Sequence, residues 1–281
     1  MKNILVPTDF SKEAGYALQL AVDFAKKTNA KLSIIHVIEY YPTASFTTMG
    51  PAPESGMPAD AFTAQMIEKV EKQFEELRSK EMFDGLDIET IVKIGNPYQN
   101  ITKKIAALNA DLVIMGSKGA HGMDEVMIGS NAERVVRYSK HPVITVKDPI
   151  RLEEIKSIAF ATDYTETQEN LLNHFDKLLE VLDAELYLVR VNTPYNFIPT
   201  RGAENNLREF AKKNHLVNVN VSTYDAYKED AGISAFAEDN DIDLIAIGTH
   251  GRKGLMHTIS GSIAEDLVNH TNKPVWTCHI K

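Results

Sequence analysis

Cysteine is nearly absent. The 281-residue chain has one, Cys278, so no disulfide can close within it and a disulfide-stapled scaffold is excluded. Positive charge is short as well: 30 Lys and Arg against 39 Asp and Glu give a formal net charge of −9. That argues against a general nucleic-acid surface, because a phosphate backbone requires a basic footprint. It leaves a single nucleotide open, since one small anion can be held by backbone N–H groups alone. No apolar run approaches the roughly 18–20 residues of a membrane helix. The opening Met1-Lys-Asn-Ile-Leu-Val-Pro-Thr-Asp9 reaches Pro7 and Asp9 too soon for a signal-peptide core. The expectation is a cytoplasmic chain with no membrane and no nucleic-acid partner.

Several chemical signatures are missing too. There is no Gly-x4-Gly-Lys-(Ser/Thr) loop, no Gly-x-Gly-x-x-Gly after the first apolar run of either half, no Ser-Gly-Gly-x-Asp-Ser and no His-Glu-x-x-His. The nine histidines form no close ligand pair, so no metal site is expected; His121, His250 and His257 read as surface or phosphate-adjacent groups. Cys278, beside Trp276, reads as a buried structural thiol, and Met115, Met123 and Met127 as packing.

What is present is a repeat. "GSKGAHGMDEVMIGS" (116–130) follows Asp111-Leu-Val-Ile-Met115, and "GTHGRKGLMHTISGS" (248–262) follows Asp243-Leu-Ile-Ala-Ile247. The glycines at 116, 119, 122 and 129 and Ser130 recur 132 residues later at 248, 251, 254, 261 and Ser262. Earlier in each half the offset is 154: Asn3-Ile-Leu-Val-Pro-Thr-Asp9 matches Ser157-Ile-Ala-Phe-Ala-Thr-Asp163, and Lys31–Val37 matches Glu185–Val191. The first half therefore holds 22 extra residues, assigned to a Pro-, Ser-, Thr- and Gly-rich loop at about Tyr41–Asp60. Two domains are expected, 1–148 and 155–281, joined by a linker within about Asp148–Lys156.

Short apolar runs alternate with amphipathic stretches. Strands are predicted at Ile4–Val6, Leu32–Ile38, Ile88–Ile94, Leu112–Met115 and Val143–Val146. Their counterparts are Ile158–Ala161, Leu186–Val191, Val217–Val221, Leu244–Ile247 and Val275–Cys278. Ala17, Leu18, Leu20, Ala21, Phe24 and Ala25 recur at helical spacing, as do Ile101, Ile105, Ala106 and Leu108. Ile67–Glu81 reads as a helix with a solvated charged face. Near-continuous apolar strands imply burial on both faces, so each half is expected to be a doubly wound α/β domain with a five-stranded parallel sheet between helices. The last strands, Val143–Val146 and Val275–Cys278, would otherwise be bare apolar edges, so the halves should pack around them as a pseudo-dimer.

Each glycine loop opens where the fourth strand of its half ends, at the crevice where open α/β sheets bind ligands. Glycines after a strand can serve only to turn the chain, but identical spacing in two copies favours binding. Ser130 and Ser262 stand where helices begin, with Glu133 and Glu265 at capping-box spacing, so N–H groups and a positive helix end would face an anion. Thr8-Asp9 and Thr162-Asp163 end the first strand of each half and place a carboxylate at the rim, suited to a base amine or a ribose hydroxyl. The simpler reading of Asp9 is an N-cap for the first helix, a role Ser11 could fill instead.

These residues resemble the universal stress protein family, tandem two-domain form, over nearly the whole chain. Gly-x2-Gly-x9-Gly-(Ser/Thr), paired with a first strand ending in Pro-Thr-Asp, is that family's ATP-binding signature. The resemblance implies a five-stranded parallel sheet in each half and dimerisation through the last strand. It implies nucleotide binding in the first half by Pro7, Thr8, Asp9, Val37, Gly116, Gly119, Gly129, Ser130 and Asn131. In the second half it implies Thr162, Asp163, Val191, Gly248, Gly251, Arg252, Gly261, Ser262 and Ile263. The glycines and serines would hold phosphates; the aspartates and valines would flank adenine and ribose. Ala161 departs from the proline that Pro7 supplies; Asp124 and Glu125 make the first loop acidic, whereas Arg252 and Lys253 make the second basic.

The expected function is an adenine-nucleotide-binding regulatory protein of the stress response, without efficient turnover. Its ligand would be ATP, with ADP, AMP and magnesium left open, and its partners an unidentified protein or a second copy. Two alternatives stand beside it: an ATP-dependent enzyme with slow ATPase or autophosphorylation activity, for which Asp124 and Glu125 are the acid candidates, or a structural dimerisation module with degenerate sites.

Overall fold

The computed structural model describes residues 1–39, 59–117, 129–164, 169–249 and 263–279. The first half runs β1 (Asn3–Pro7), α1 (Lys12–Thr28), β2 (Lys31–Ile38), α2 (Ala59–Arg78), β3 (Ile88–Ile94), α3 (Pro97–Leu108), β4 (Leu112–Gly116), α4 (Ser130–Tyr138) and β5 (Val143–Val146). The second runs β6 (Ser157–Ala161), α5 (Glu169–Leu179), β7 (Glu185–Asn192), α6 (Thr200–Lys213), β8 (Val219–Asp225), α7 (Glu229–Asp239), β9 (Leu244–Thr249), α8 (Ile263–His270) and β10 (Val275–His279).

The strands form one ten-stranded sheet in the order β3-β2-β1-β4-β5-β10-β9-β6-β7-β8. Within each half every pair is parallel, and the strand order reverses between β1 and β4 and between β6 and β9. The halves join through the single antiparallel pair β5–β10, with Trp276 opposite Ile144 and Val275 opposite Thr145. This is the repeated α/β architecture expected, with the last strands meeting as a pseudo-dimer.

Two apolar layers cover the sheet. One packs α1, α2, α5 and α6 on Ile4, Leu32, Ile144, Phe160, Leu188 and Trp276; the other packs α3, α4, α7 and α8 on Leu5, Val113, Val143, Ala159 and Ile245. Each layer passes through both halves. At roughly 25 cal/mol per Å² of apolar area buried, continuity across the seam makes the two halves energetically dependent on each other. Polar bonds fasten the same seam. The Arg137 guanidinium spans both oxygens of the Glu265 carboxylate at 3.3 and 3.4 Å, and Lys147 donates to the carbonyls of Asn269 and Thr271. In the linker, Arg151 pairs with Asp23 of α1 at 2.7 Å, and the Leu152 amide donates to the same carboxylate.

Three local expectations are corrected. The strand predicted at Val217–Val221 begins at Val219 and runs to Asp225; His215 and Asn218 take positive φ of 57° and 54°, which breaks an extended run, and Val217 is 77% exposed. The apolar pattern misled because β8 is an edge strand carrying Asn, Ser and Thr. The helix predicted at Ile67–Glu81 is α2; it begins at Ala59, inside the predicted loop, and buries Val70 and Phe74 under its charged face. The rest of that loop lies outside the described residues. Finally, the capping box expected at the start of α4 does not form. Gly129, which has no side chain, caps α4, and Ser130 is its first helical residue, exposed; Ser262, the cap expected for α8, lies outside the described residues.

Candidate nucleotide site at the strand-order reversal

The β1 end is built by short-range bonds. The Thr8 amide extends the ladder by donating to Ile35 O at 2.8 Å, and the Thr8 hydroxyl then accepts from the Phe10 amide at 3.1 Å. The Asp9 carboxylate accepts from the Ser11 amide, and the Ser11 hydroxyl accepts from Ala14 to cap α1. Ser11 is thus the cap, and Asp9 is kept at the rim. The turn puts Phe10 at φ 61°, a left-handed conformation unusual for an aromatic residue. His36 lies beneath it, its Nδ1–H donating to Thr8 O at 2.8 Å, and burial lowers its pKa below the ordinary imidazole value. The second half repeats the turn: Thr162 bonds Val189 O through its amide and Tyr164 through its hydroxyl, with Tyr164 at φ 53°.

Beside β1, β4 ends at Gly116. A Cβ there would stand 2.9 Å from the Glu13 carbonyl carbon and 3.0 Å from the Ala14 nitrogen, so the first turn of α1 lies directly on this glycine. Close packing is sufficient reason for Gly116. The next residue closes the base of the loop: the Ser117 amide donates to Val146 O, and Ser117 O accepts from the Gly129 amide at 2.8 Å. The first α4 bond is Glu133 N to Gly129 O, which leaves the amides of Ser130, Asn131 and Ala132 free of helical acceptors.

Ser117 was not singled out from the sequence, nor was Thr249, its counterpart 132 residues on. Ser117 is 4% exposed and Thr249 is 3% exposed, and among the described residues the hydroxyl of each has no hydrogen-bond partner. Buried polar groups are nearly always bonded, so two such hydroxyls at equivalent points of a repeat single out the base of each loop. Their signal in the sequence was the hydroxyl repeated directly after each loop's first glycine.

The sites are not identical. Pro7, Thr8, Asp9, Gly116, Gly129, Ser130 and Asn131 gather at the C-terminal ends of β1 and β4 and the start of α4, with Val37 nearby on β2. Thr162, Asp163, Gly248 and Ile263 gather likewise around β6, β9 and α8. Val37 is part-buried, whereas Val191 is closed in by α7, where a Cβ on Gly232 would stand 2.5 Å from a Val191 methyl. Gly119, Gly251, Arg252, Gly261 and Ser262, like Asp124 and Glu125, lie outside the described residues. Among the described residues no group of His, Cys, Asp and Glu is arranged to hold a metal, and no helix is long and apolar enough to cross a membrane.

Comparison with known proteins agrees with this architecture. The family model described as "Universal stress protein family" matches twice, over residues 1–147 and 154–279. A protein of Staphylococcus aureus strain USA300, named for the same family, is 34% identical over 152 residues, spanning 52% of this chain and 84% of its own. The crystal structure of a universal stress protein from Archaeoglobus fulgidus superposes with a TM-score of 0.75 at 22% identity, covering 99% of this chain and 98% of that one. Another, from Pseudomonas aeruginosa UCBPP-PA14, gives 0.63 at 15% identity over 100% and 94%. With two family matches meeting at one antiparallel strand pair, the chain belongs to the universal stress protein family, in its tandem form.

Proposed function

We propose that this chain is a cytoplasmic, adenine-nucleotide-binding regulatory protein of the stress response, with ATP as ligand and without efficient turnover. The observation that carries the reading is the pair of orphaned buried hydroxyls, Ser117 and Thr249, at equivalent points of strand-order reversal. The donor set fits a nucleotide. The Ser130, Asn131 and Ala132 amides would take phosphate oxygens at the positive end of α4, with the Ser117 hydroxyl beneath them. Asp9 would accept from a base amine or a ribose hydroxyl, and Val37 would meet the base. Asp163, Val191, Thr249 and Ile263 offer a second, tighter version. Bound there, the nucleotide supplies a polyanion and a flat aromatic base that this chain grips; no residue is assigned a bond-breaking role, and occupancy acts as the signal.

Titration calorimetry of the full chain with ATP, ADP, AMP and cyclic AMP, with and without magnesium, tests the reading. Gly119 and Gly251 would let phosphates approach the backbone, so valine at both should cut affinity at least about a hundredfold, the loss of two charge-assisted bonds. A folded Gly119→Val/Gly251→Val double variant that binds ATP like the parent would remove the reading.

A further inference from the structure

The two halves differ at one buried position. His36 of β2 and Arg190 of β7 are equivalents at an offset of 154, as are Phe10 and Tyr164 above them. In the first half the floor beneath the β1 turn is neutral and satisfied. Phe10 packs 4.9 Å from the His36 ring and 5.3 Å from Phe74, and Nδ1 of His36 is bonded to Thr8 O. In the second half a guanidinium occupies that floor. Arg190 is 6% exposed and lies 5.4 Å from the centre of the Tyr164 ring. One of its nitrogens, Nη2, donates to the Asn196 carbonyl at 2.6 Å. Among the described residues its buried Nε has no hydrogen-bond partner, and neither has the buried Tyr164 hydroxyl. Among the described residues no carboxylate stands within ion-pair distance of the guanidinium.

A buried cation without a counter-ion is costly, and an orphaned buried donor costs more on top of it. A strut for one carbonyl does not require a permanent charge, since a neutral donor could bond Asn196 equally well. We propose that Arg190 and Tyr164 form an oxyanion subsite in the second half, taking a carboxylate or a phosphate group. The Nε–H offers one charge-assisted donor to such a group, and the phenol hydroxyl offers a second. Tyr164 is part-buried where Arg190 is buried, so the tyrosine is the more exposed of the two. The neighbouring polar groups are already committed. Asn192 bonds Asp225 and Ile198 O, while Asn196 bonds Glu229 and the Thr193 amide, so the loop 192–198 is fixed by its own bonds. The first half, with His36 and Phe10 at these places, has no counterpart. The subsite lies on the α5 and α6 face and does not depend on the nucleotide reading.

The test is the Nε–H signal of Arg190 in the full chain labelled with nitrogen-15 arginine, assigned by its loss in Arg190→Lys. It is followed during titration with sodium phosphate and, separately, sodium acetate, each against sodium chloride at equal ionic strength. A saturable shift with phosphate alone assigns a phosphate group; a shift with acetate alone assigns a carboxylate; a shift with both assigns a general oxyanion subsite. Tyr164→Phe should weaken the response about three- to tenfold, the loss of one neutral hydrogen bond. The titration is repeated in Gly251→Val, which removes the proposed second-half nucleotide site; a response to phosphate or acetate that persists there belongs to Arg190 and Tyr164, so the two readings fail separately. If the signal shifts with neither anion beyond the chloride control, the proposal is overturned, and Arg190 is a strut for Asn196.

Discussion

At the scale of single residues, three atoms make sharp expectations. The carbon that Gly116 lacks would lie 2.9 Å from backbone, and backbone at the start of α1 cannot rotate aside. Gly116→Ala should therefore destabilise by about 1–3 kcal/mol, the range for overpacking; an unchanged urea midpoint would show that α1 can yield. Cys278 is buried and its thiol is pushed up to about 12 by desolvation. It should resist a thiol reagent at pH 8 in the native protein and react fully once unfolded. His36 carries the pH dependence. Its folded pKa is depressed by burial, so the unfolded chain binds the proton more readily. The stability it contributes is full above the unfolded value of about 6.5 and is lost as pH falls below that. His174, depressed mainly by burial and then by Lys177 and His141, adds in the same direction. Urea unfolding at pH 7.5 and 5.5 should show the lower stability at pH 5.5, and His36→Gln should flatten the difference.

At the scale of elements, the seam between α4 and α8 depends on one ion pair. Glu265 is 7% exposed and its carboxylate faces Arg137, which is about one-third exposed. Arg137→Ala removes the guanidinium from a buried carboxylate, a loss below the roughly 3–5 kcal/mol of a closed interior because water reaches the arginine side. Arg137→Met with Glu265→Gln removes both charges and should recover much of the loss. A double variant as unstable as the single would mean that the pair acts through packing. The pair shows the limit of a local reading: Arg137 reaches Glu265 from 128 residues away in the chain, a contact that no short-range pattern announces. The β8 boundary failed for a related reason: apolar alternation was legible, whereas the left-handed turns at His215 and Asn218 that delay the strand come from residues with no glycine to announce them.

At the scale of the whole molecule, both apolar layers cross from one half to the other through Ile144, Val143, Trp276 and Val275. The two halves should accordingly unfold together. Trp276, the single tryptophan, sits on the seam strand and packs 5.5 Å from Phe175, so its fluorescence reports the junction while far-ultraviolet circular dichroism reports all helices. Coincident urea transitions by the two probes are expected; a fluorescence change that precedes loss of helix would show that the seam opens first. The amides of β5 and β10 should rank among the slowest to exchange with solvent, because they are interior to a ten-stranded sheet.

The sequence by itself determined the duplication, the alternation of strand and helix, the meeting of the last strands, and the placing of Thr8, Asp9, Gly129 and Ser130 beside one crevice. These follow from short-range periodicity, from the fixed offsets of 132 and 154, and from the rule that parallel strands carry their ligand sites at one end. Only the tertiary structure decided which side chains would be satisfied. That Gly116 yields to the backbone of α1, and that among the described residues the Ser117 and Thr249 hydroxyls find no partner and the buried Arg190 no counter-ion, depend on atoms distant in the chain. Residue type fixes how many hydrogen bonds a group can make; only the packed chain fixes how many partners it finds.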